Sequence, residues 1–316
     1  MTLPLGVDGI VELAEVERSG FVESIHLGAA VAIGPDGSTL VEHGDSSALI
    51  YPRSTLKLVQ AVGMLRAGLD LSGERLALAA ASHIGTPEHV RVVREILAVA
   101  GLGEEALQCP ADWPADSASR TSAERRATVT MGCSGKHAAM LLTCVRNGWP
   151  IESYLEPEHP LQQLMRQSAE EFACEPVSHV GVDGCGTPVF AISLRGLATA
   201  IGRVGSGDDA QSAAVVAAIR SHAWALDTPA IARVIDELGV IAKSGAEGVF
   251  VASATDGTAV AVKIIDGSSR ALIPVGVSLL AGVGAVELEA AEQVVSDTTE
   301  PVLGAGRAVG AVRSRV

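Results

Sequence analysis

The hydrophobic period changes twice along this chain, and that order limits the folds open to it. Val22 to Ile33 is rich in β-compatible residues, Pro35-Asp36-Gly37 supplies a turn, and Thr39 to Glu42 can return, so residues 20–44 read as a hairpin. Pro52 breaks the extended region and a helix begins near Ser54, with Val59, Val62, Gly63 and Leu65 on its apolar side. From Leu71 to about Leu238 the pattern is mostly helical, with loops rich in Gly, Pro and Ser such as Ser82 to Glu88 and Gln108 to Ser119. Gly248 to Ala254 and Ala259 to Ile265 are strand-like again, joined by the turn Thr255-Asp256-Gly257-Thr258. Asp266-Gly267 then leads into a final long helix from about Ser269. Strands at both ends with helices between predict an α+β chain of one domain. A single antiparallel sheet is built from both chain ends, roughly 1–70 and 240–290, and a mainly helical lobe, 71–239, is inserted.

Arg53-Ser54-Thr55-Leu56-Lys57 is a Ser-x-x-Lys motif at the start of the first helix. Three residues is close to one turn, so Ser54 and Lys57 share a face. A serine hydroxyl is a poor nucleophile until a neighbouring base takes its proton, and an uncharged lysine amine can do that. The pattern also occurs by chance. Lys243-Ser244-Gly245-Ala246 lies just before or on the first late strand. Alone it reads as a solvated turn, but penicillin-recognising enzymes and serine glutaminases pair a Ser-x-x-Lys helix with a Lys-Thr/Ser-Gly strand in this chain order. The strand supplies a second cation, a hydroxyl and a backbone N–H for an oxyanion.

Three other blocks carry chemistry-bearing residues. Cys133-Ser134-Gly135-Lys136-His137 is not a phosphate loop, because the first glycine is absent and His137 stands where Ser or Thr belongs. Gly181 to Pro188 holds Asp183 and Cys185 among glycines that allow close approach to a ligand. Two cysteines do not make a four-ligand structural zinc site, and Cys133 and Cys185 taken alone read as packing residues. Ser82 to His89 contains one serine and two histidines, which fit a helix cap as well as a binding loop.

The net charge of -14, from 23 basic and 37 acidic residues, argues against nucleic-acid or anionic-membrane partners. Only 3% of residues are aromatic, so Ala, Val, Leu and Ile must fill the core. Ala271 to Val286 is interrupted by Pro274 and by glycines and reads as a buried helix instead of a membrane span. The five cysteines are irregularly spaced and do not form a disulfide framework. Together with a start that lacks a basic, apolar leader, this gives a cytoplasmic location as the expectation.

Taken together, the blocks resemble the rhizobial-type, or class 3, L-asparaginases of the asparaginase II family. The resembling stretches are Gly20 to His26, Tyr51 to Lys57, Ser82 to Val90, Cys133 to Ala138, Gly181 to Pro188 and Lys243 to Val249. They are spread from about residue 18 to 275, so the resemblance spans nearly the whole chain. The resemblance implies a serine β-lactamase/glutaminase-like fold and hydrolysis of L-asparagine to L-aspartate and ammonia. It implies Ser54 as nucleophile beside Lys57, with Ser82 and Lys243 as a second Ser–Lys pair. It implies Cys133, Lys136 and Cys185 as ligands of one zinc ion, with water as the fourth, Asp183 as a substrate-holding residue, and a homodimer. The family usually has two asparagines before the cysteine, where this chain has Met131-Gly132.

On that basis Ser54 attacks the side-chain amide carbon, and the backbone N–H groups of Ser54 and Ala246 form the oxyanion hole. Ser82 relays a proton to the leaving ammonia. Asp183 takes the α-ammonium, Arg53 or Lys243 takes the α-carboxylate, and His137 joins the substrate contacts. The alternatives are a glutaminase or peptidase on the same fold, or a zinc-dependent asparagine sensor without turnover.

Overall fold

The computed structural model describes residues 3–316. The antiparallel sheet is assembled from both chain ends. The first strands are β1 (Val11–Arg18), β2 (Phe21–Ile33) and β3 (Thr39–His43). The late ones are β7 (Ile241–Gly245), β8 (Val249–Ser253), β9 (Ala259–Ile264) and β12 (Val312–Ser314). Their order is β12-β1-β2-β9-β8-β7, and β3 pairs with β2 beside that path. The long β2 allows this: its first half pairs with β1, and Ala30–Ile33 pair with β3.

Every residue of β8 is buried, so both sheet faces are covered. α7 (Leu194–Gly205) lies on the face of Ser253, and α10 (Leu272–Gly282) lies on the face of Phe250. Glycines make both approaches possible. A Cβ on Gly205 would stand 2.1 Å from the Ser253 hydroxyl, and one on Gly276 would stand 2.3 Å from the Phe250 ring.

The inserted lobe surrounds two central helices, α1 (Lys57–Arg66) and α5 (Ser134–Asn147). Residues 57–64 of α1 and 134–144 of α5 are buried without interruption. These helices are buried on all sides and not only on the stripe that periodicity suggests. Around them pack α2 (Gly73–Ala79), α3 (Pro87–Val99), α6 (Pro160–Ala173) and α8 (Ala210–Ser221). α9 (Pro229–Leu238) then leads back to the sheet.

Several boundaries differ from the sequence reading. The lobe contains a small sheet, β4-β6-β5, made by β4 (Leu49–Ile50), β5 (His179–Val182) and β6 (Pro188–Ser193). β1 was not anticipated, because acidic residues interrupt its alternation; β12 lies beyond the predicted limit of 290. The single final helix is two helices, α10 and α11 (Leu288–Thr298), separated at Gly284, which has φ 75°. Among the described residues no helix is long and apolar enough to cross a membrane.

Candidate active site

The predicted residues meet where the first helix, the α5 N-terminus, the β5–β6 turn and the end of β7 converge. Pro52 ends the extended segment and Arg53 takes a left-handed conformation (φ 52°), an uncommon one for a side-chain-bearing residue. A tight turn over Arg53–Leu56 follows and feeds directly into α1. Arg53, Leu56, Lys57 and Gln60 fall on one helical face and line a cleft with Lys136, Asp183 and Thr187. The space between them is about 10 Å³, roughly one water molecule.

Lys57 is 1% exposed. Its amine donates to the Ala81 carbonyl at 2.5 Å and to the Ser82 hydroxyl at 3.0 Å, and lies 3.1 Å from the Cys133 sulfur. Ser54 is half-buried on the turn preceding Lys57 and is not among these partners. The Ser82–Lys243 pair expected from the sequence is replaced by a Ser82–Lys57 contact. Lys243 instead donates to Asp227 at 2.5 Å and to the Ser244 carbonyl at 2.8 Å. The reason is burial: Lys243 is 0% exposed, and a carboxylate offsets its charge where a hydroxyl cannot. Burial pushes the Lys243 amine below its ordinary value; Asp227 opposes this, and Lys57 adds to it.

Asp227 is the residue that sequence reasoning missed. It also accepts from the Ser244 hydroxyl at 2.8 Å and the Ser244 N–H at 3.0 Å, so it fixes the whole Lys243-Ser244 segment. Its signal in the sequence is an acid placed between Ala225-Leu226 and Thr228-Pro229, just before the N-cap of α9. Gly245 serves another purpose: a Cβ there would lie 3.0 Å from the Pro52 carbonyl, so glycine lets β7 approach the Arg53 turn closely. Ala246 is exposed in the following turn.

Arg53 donates from Nε to Asp183 at 2.8 Å and lies 4.0 Å from Glu247. Asp183 also accepts from the Gly184 N–H at 2.8 Å.

Behind this pair the two cysteines face each other. Lys136, 1% exposed, lies 3.3 Å from the Cys185 sulfur and donates to the Thr187 hydroxyl at 2.9 Å. The neighbouring Cys185, together with burial, pushes the Cys133 thiol well up. Cys133, aided by Lys136 and His137, holds Cys185 below the ordinary thiol value. His137 Nδ1 is 2.7 Å from the Tyr154 hydroxyl, which itself accepts from the Gln108 N–H at 3.1 Å. His137 Nε2 is buried without a hydrogen-bond partner. Among the described residues no three His, Cys, Asp or Glu side chains form a metal cluster. Two sulfurs and the Lys136 amine do converge, and that donor set suits a thiophilic ion such as zinc.

His83 is 2% exposed. It accepts the Gly85 N–H on Nδ1 at 3.1 Å, so Nε2 donates to the Ser134 hydroxyl at 2.8 Å. Ser134 passes its proton to the Val129 carbonyl at 2.8 Å. This chain ties the Ser82 loop to the start of α5.

The L-asparaginase II family profile matches residues 14–314. The chain belongs to the L-asparaginase II family. It is an amidohydrolase of that family, with the α+β architecture described above. None of the curated protein sequences compared with it matches. Among solved structures, a β-lactamase from Mycobacterium bovis is 13% identical, with 81% of this chain and 94% of that chain covered and a TM-score of 0.44. A protein described as a probable glutaminase from Bacillus subtilis, complexed with 6-diazo-5-oxo-L-norleucine, is 12% identical, with 87% and 90% covered and a TM-score of 0.39.

Two outcomes follow from this geometry. Asp227→Ala strands the Lys243 charge and is expected to cost about 3–5 kcal/mol of stability, read by urea unfolding. Burial holds His83 well below 6.5, so the native state keeps it neutral while the unfolded state protonates. Its contribution is complete above pH 6.5 and is lost as pH falls from there towards the native value, by about 1.4 kcal/mol per pH unit. Burial lowers His89 and His137 as well, so unfolding curves from pH 7.5 to 5 should show at least this slope, and His83→Gln should reduce it.

Proposed function

We propose that this amidohydrolase converts L-asparagine to L-aspartate and ammonia through a serine acyl-enzyme. The observation that carries the reading is the buried Lys57 amine. It is 3.0 Å from Ser82 and one helical turn from Ser54, at a cleft in a chain of this family. Ser54 attacks the side-chain amide carbon, and uncharged Lys57 receives its proton. The Lys57–Ser82 contact then delivers a proton to the departing ammonia, and water releases aspartate. The N–H groups of Ser54 and Ala246 stabilise the oxyanion.

The Arg53–Asp183 ion pair is matched in charge to a free amino acid: the carboxylate suits an α-ammonium and the guanidinium an α-carboxylate. With about 10 Å³ between the lining residues, binding must draw this pair apart. Lys243 is committed to Asp227, so Arg53 is the better of the two carboxylate partners. His137 acts from behind the cleft, where Tyr154 holds its ring.

Cys133, Cys185 and Lys136, with a water, are the residues that would hold one zinc ion. Two thiolates leave such an ion little Lewis acidity, so it would supply fixed geometry around the cleft and not water activation. The second reading makes Ser82 the nucleophile, because Ser82 is the serine bonded to Lys57. The chain is further proposed to act as a cytoplasmic homodimer without nucleic-acid or membrane partners.

Ammonia release from asparagine and glutamine tests the reaction class. Ser54→Ala is expected to abolish turnover and acyl-enzyme formation, while Ser82→Ala slows turnover by about 10²- to 10³-fold and still acylates. Acylation retained in Ser54→Ala but absent in Ser82→Ala would reverse the two roles. Chelation is expected to raise KM and lower Tm while leaving kcat at saturating asparagine largely intact. Loss of all turnover at saturation would overturn the positioning role. Zinc affinity should fall at low pH, because the three ligands must be deprotonated.

A further inference from the structure

Gln60 stands one turn beyond Lys57 on the helical face that lines the cleft. It is 6% exposed, and its side-chain oxygen is buried without any hydrogen-bond partner. A buried carbonyl with no donor is uncommon and costly. The nearby donors cannot serve it. Lys57 is committed to Ala81, Ser82 and Cys133, and Lys136 to Cys185 and Thr187. The cleft into which Gln60 faces is where a ligand N–H can complete it.

We infer that Gln60 is a specificity-determining residue that recognises the carboxamide of the substrate and rejects the carboxylate of the product. The inference deepens the asparaginase reading and rests on it. Charge matching sets the α-ammonium and α-carboxylate on Asp183 and Arg53, at the cleft's more exposed end. The N–H donor of asparagine left over is its side-chain NH₂. A carboxamide facing another carboxamide is reciprocal: each offers one acceptor and a pair of donors. With the Gln60 oxygen as the buried, unpartnered atom, aspartate, which offers acceptors only, sets a carboxylate oxygen against it. The same contact holds the leaving nitrogen in place during attack and weakens product binding afterwards.

The test compares amide and acid ligands by calorimetry in a Ser54→Ala, Ser82→Ala background, where neither is consumed. The ligand pairs are asparagine with aspartate and glutamine with glutamate. The background protein is expected to prefer the amide about tenfold or more in Kd. Adding Gln60→Met should bring that ratio close to one by weakening the amide, without lowering Tm, because it removes an unpartnered buried acceptor. Gln60→Glu keeps acceptor oxygens and should keep the preference. Three results would overturn the inference: an unchanged ratio in Gln60→Met, equal weakening of both ligands with a lowered Tm, or no ligand bound by the background protein. Ammonia release by the wild-type chain separates the two levels. If asparagine is not hydrolysed but the amide preference still depends on Gln60, the reaction assignment fails and the recognition role stands.

Discussion

Three lysine amines buried around one cleft are the constraint on which the rest of this structure depends. Lys57, Lys136 and Lys243 are each at most 1% exposed, and a buried amine is tolerated only with acceptors close by. The protein meets this demand with a different chemistry at each position. Lys57 receives a carbonyl, a hydroxyl and a sulfur. Lys136 receives a thiolate and a hydroxyl. Lys243 receives the Asp227 carboxylate. These partners come from the α2–α3 loop, the start of α5, the β5–β6 turn and the segment before α9. Satisfying the three amines therefore pins the helical lobe to the sheet.

The same arrangement separates charge by function. The Asp227 carboxylate offsets the Lys243 cation and holds the hydroxyl and N–H of Ser244, so the strand facing the first helix is rigid. Lys136 lies beside Cys185 and favours its thiolate form, and Tyr154 fixes the His137 ring behind it. Arg53 and Asp183, which are only partly buried, form the ion pair best able to exchange its partner for a zwitterionic ligand.

Much of this was legible in the residues. Pro35-Asp36-Gly37 and Asp256-Gly257 marked two hairpins because only certain residues adopt those turns. Ser54 and Lys57 were located by helical spacing, and Lys243-Ser244-Gly245 by its place on a late strand. Partner choice was not legible. Lys243 was assigned to Ser82 on chain order and resemblance, whereas its carboxylate partner lies 16 residues upstream on a separate loop. Gln60 carries no motif, and Thr187 lies in a motif block without an assigned role; both gain a place only once two helices and a turn close on one cleft. The break in the final helix was missed because Gly284 sits in an apolar run that reads as continuous.

The sequence by itself determined the order of strands and helices, the residue types available for acyl transfer, and membership of the L-asparaginase II family. Local propensity and spacing are properties of neighbouring residues, so one dimension suffices to read them. Only the tertiary structure decided which acceptor each buried amine takes, which cysteine sits against Lys136, and which polar group is left for a ligand. Those outcomes depend on burial and on distances between segments far apart in the chain, where an unmatched charge costs more than any local preference can offset.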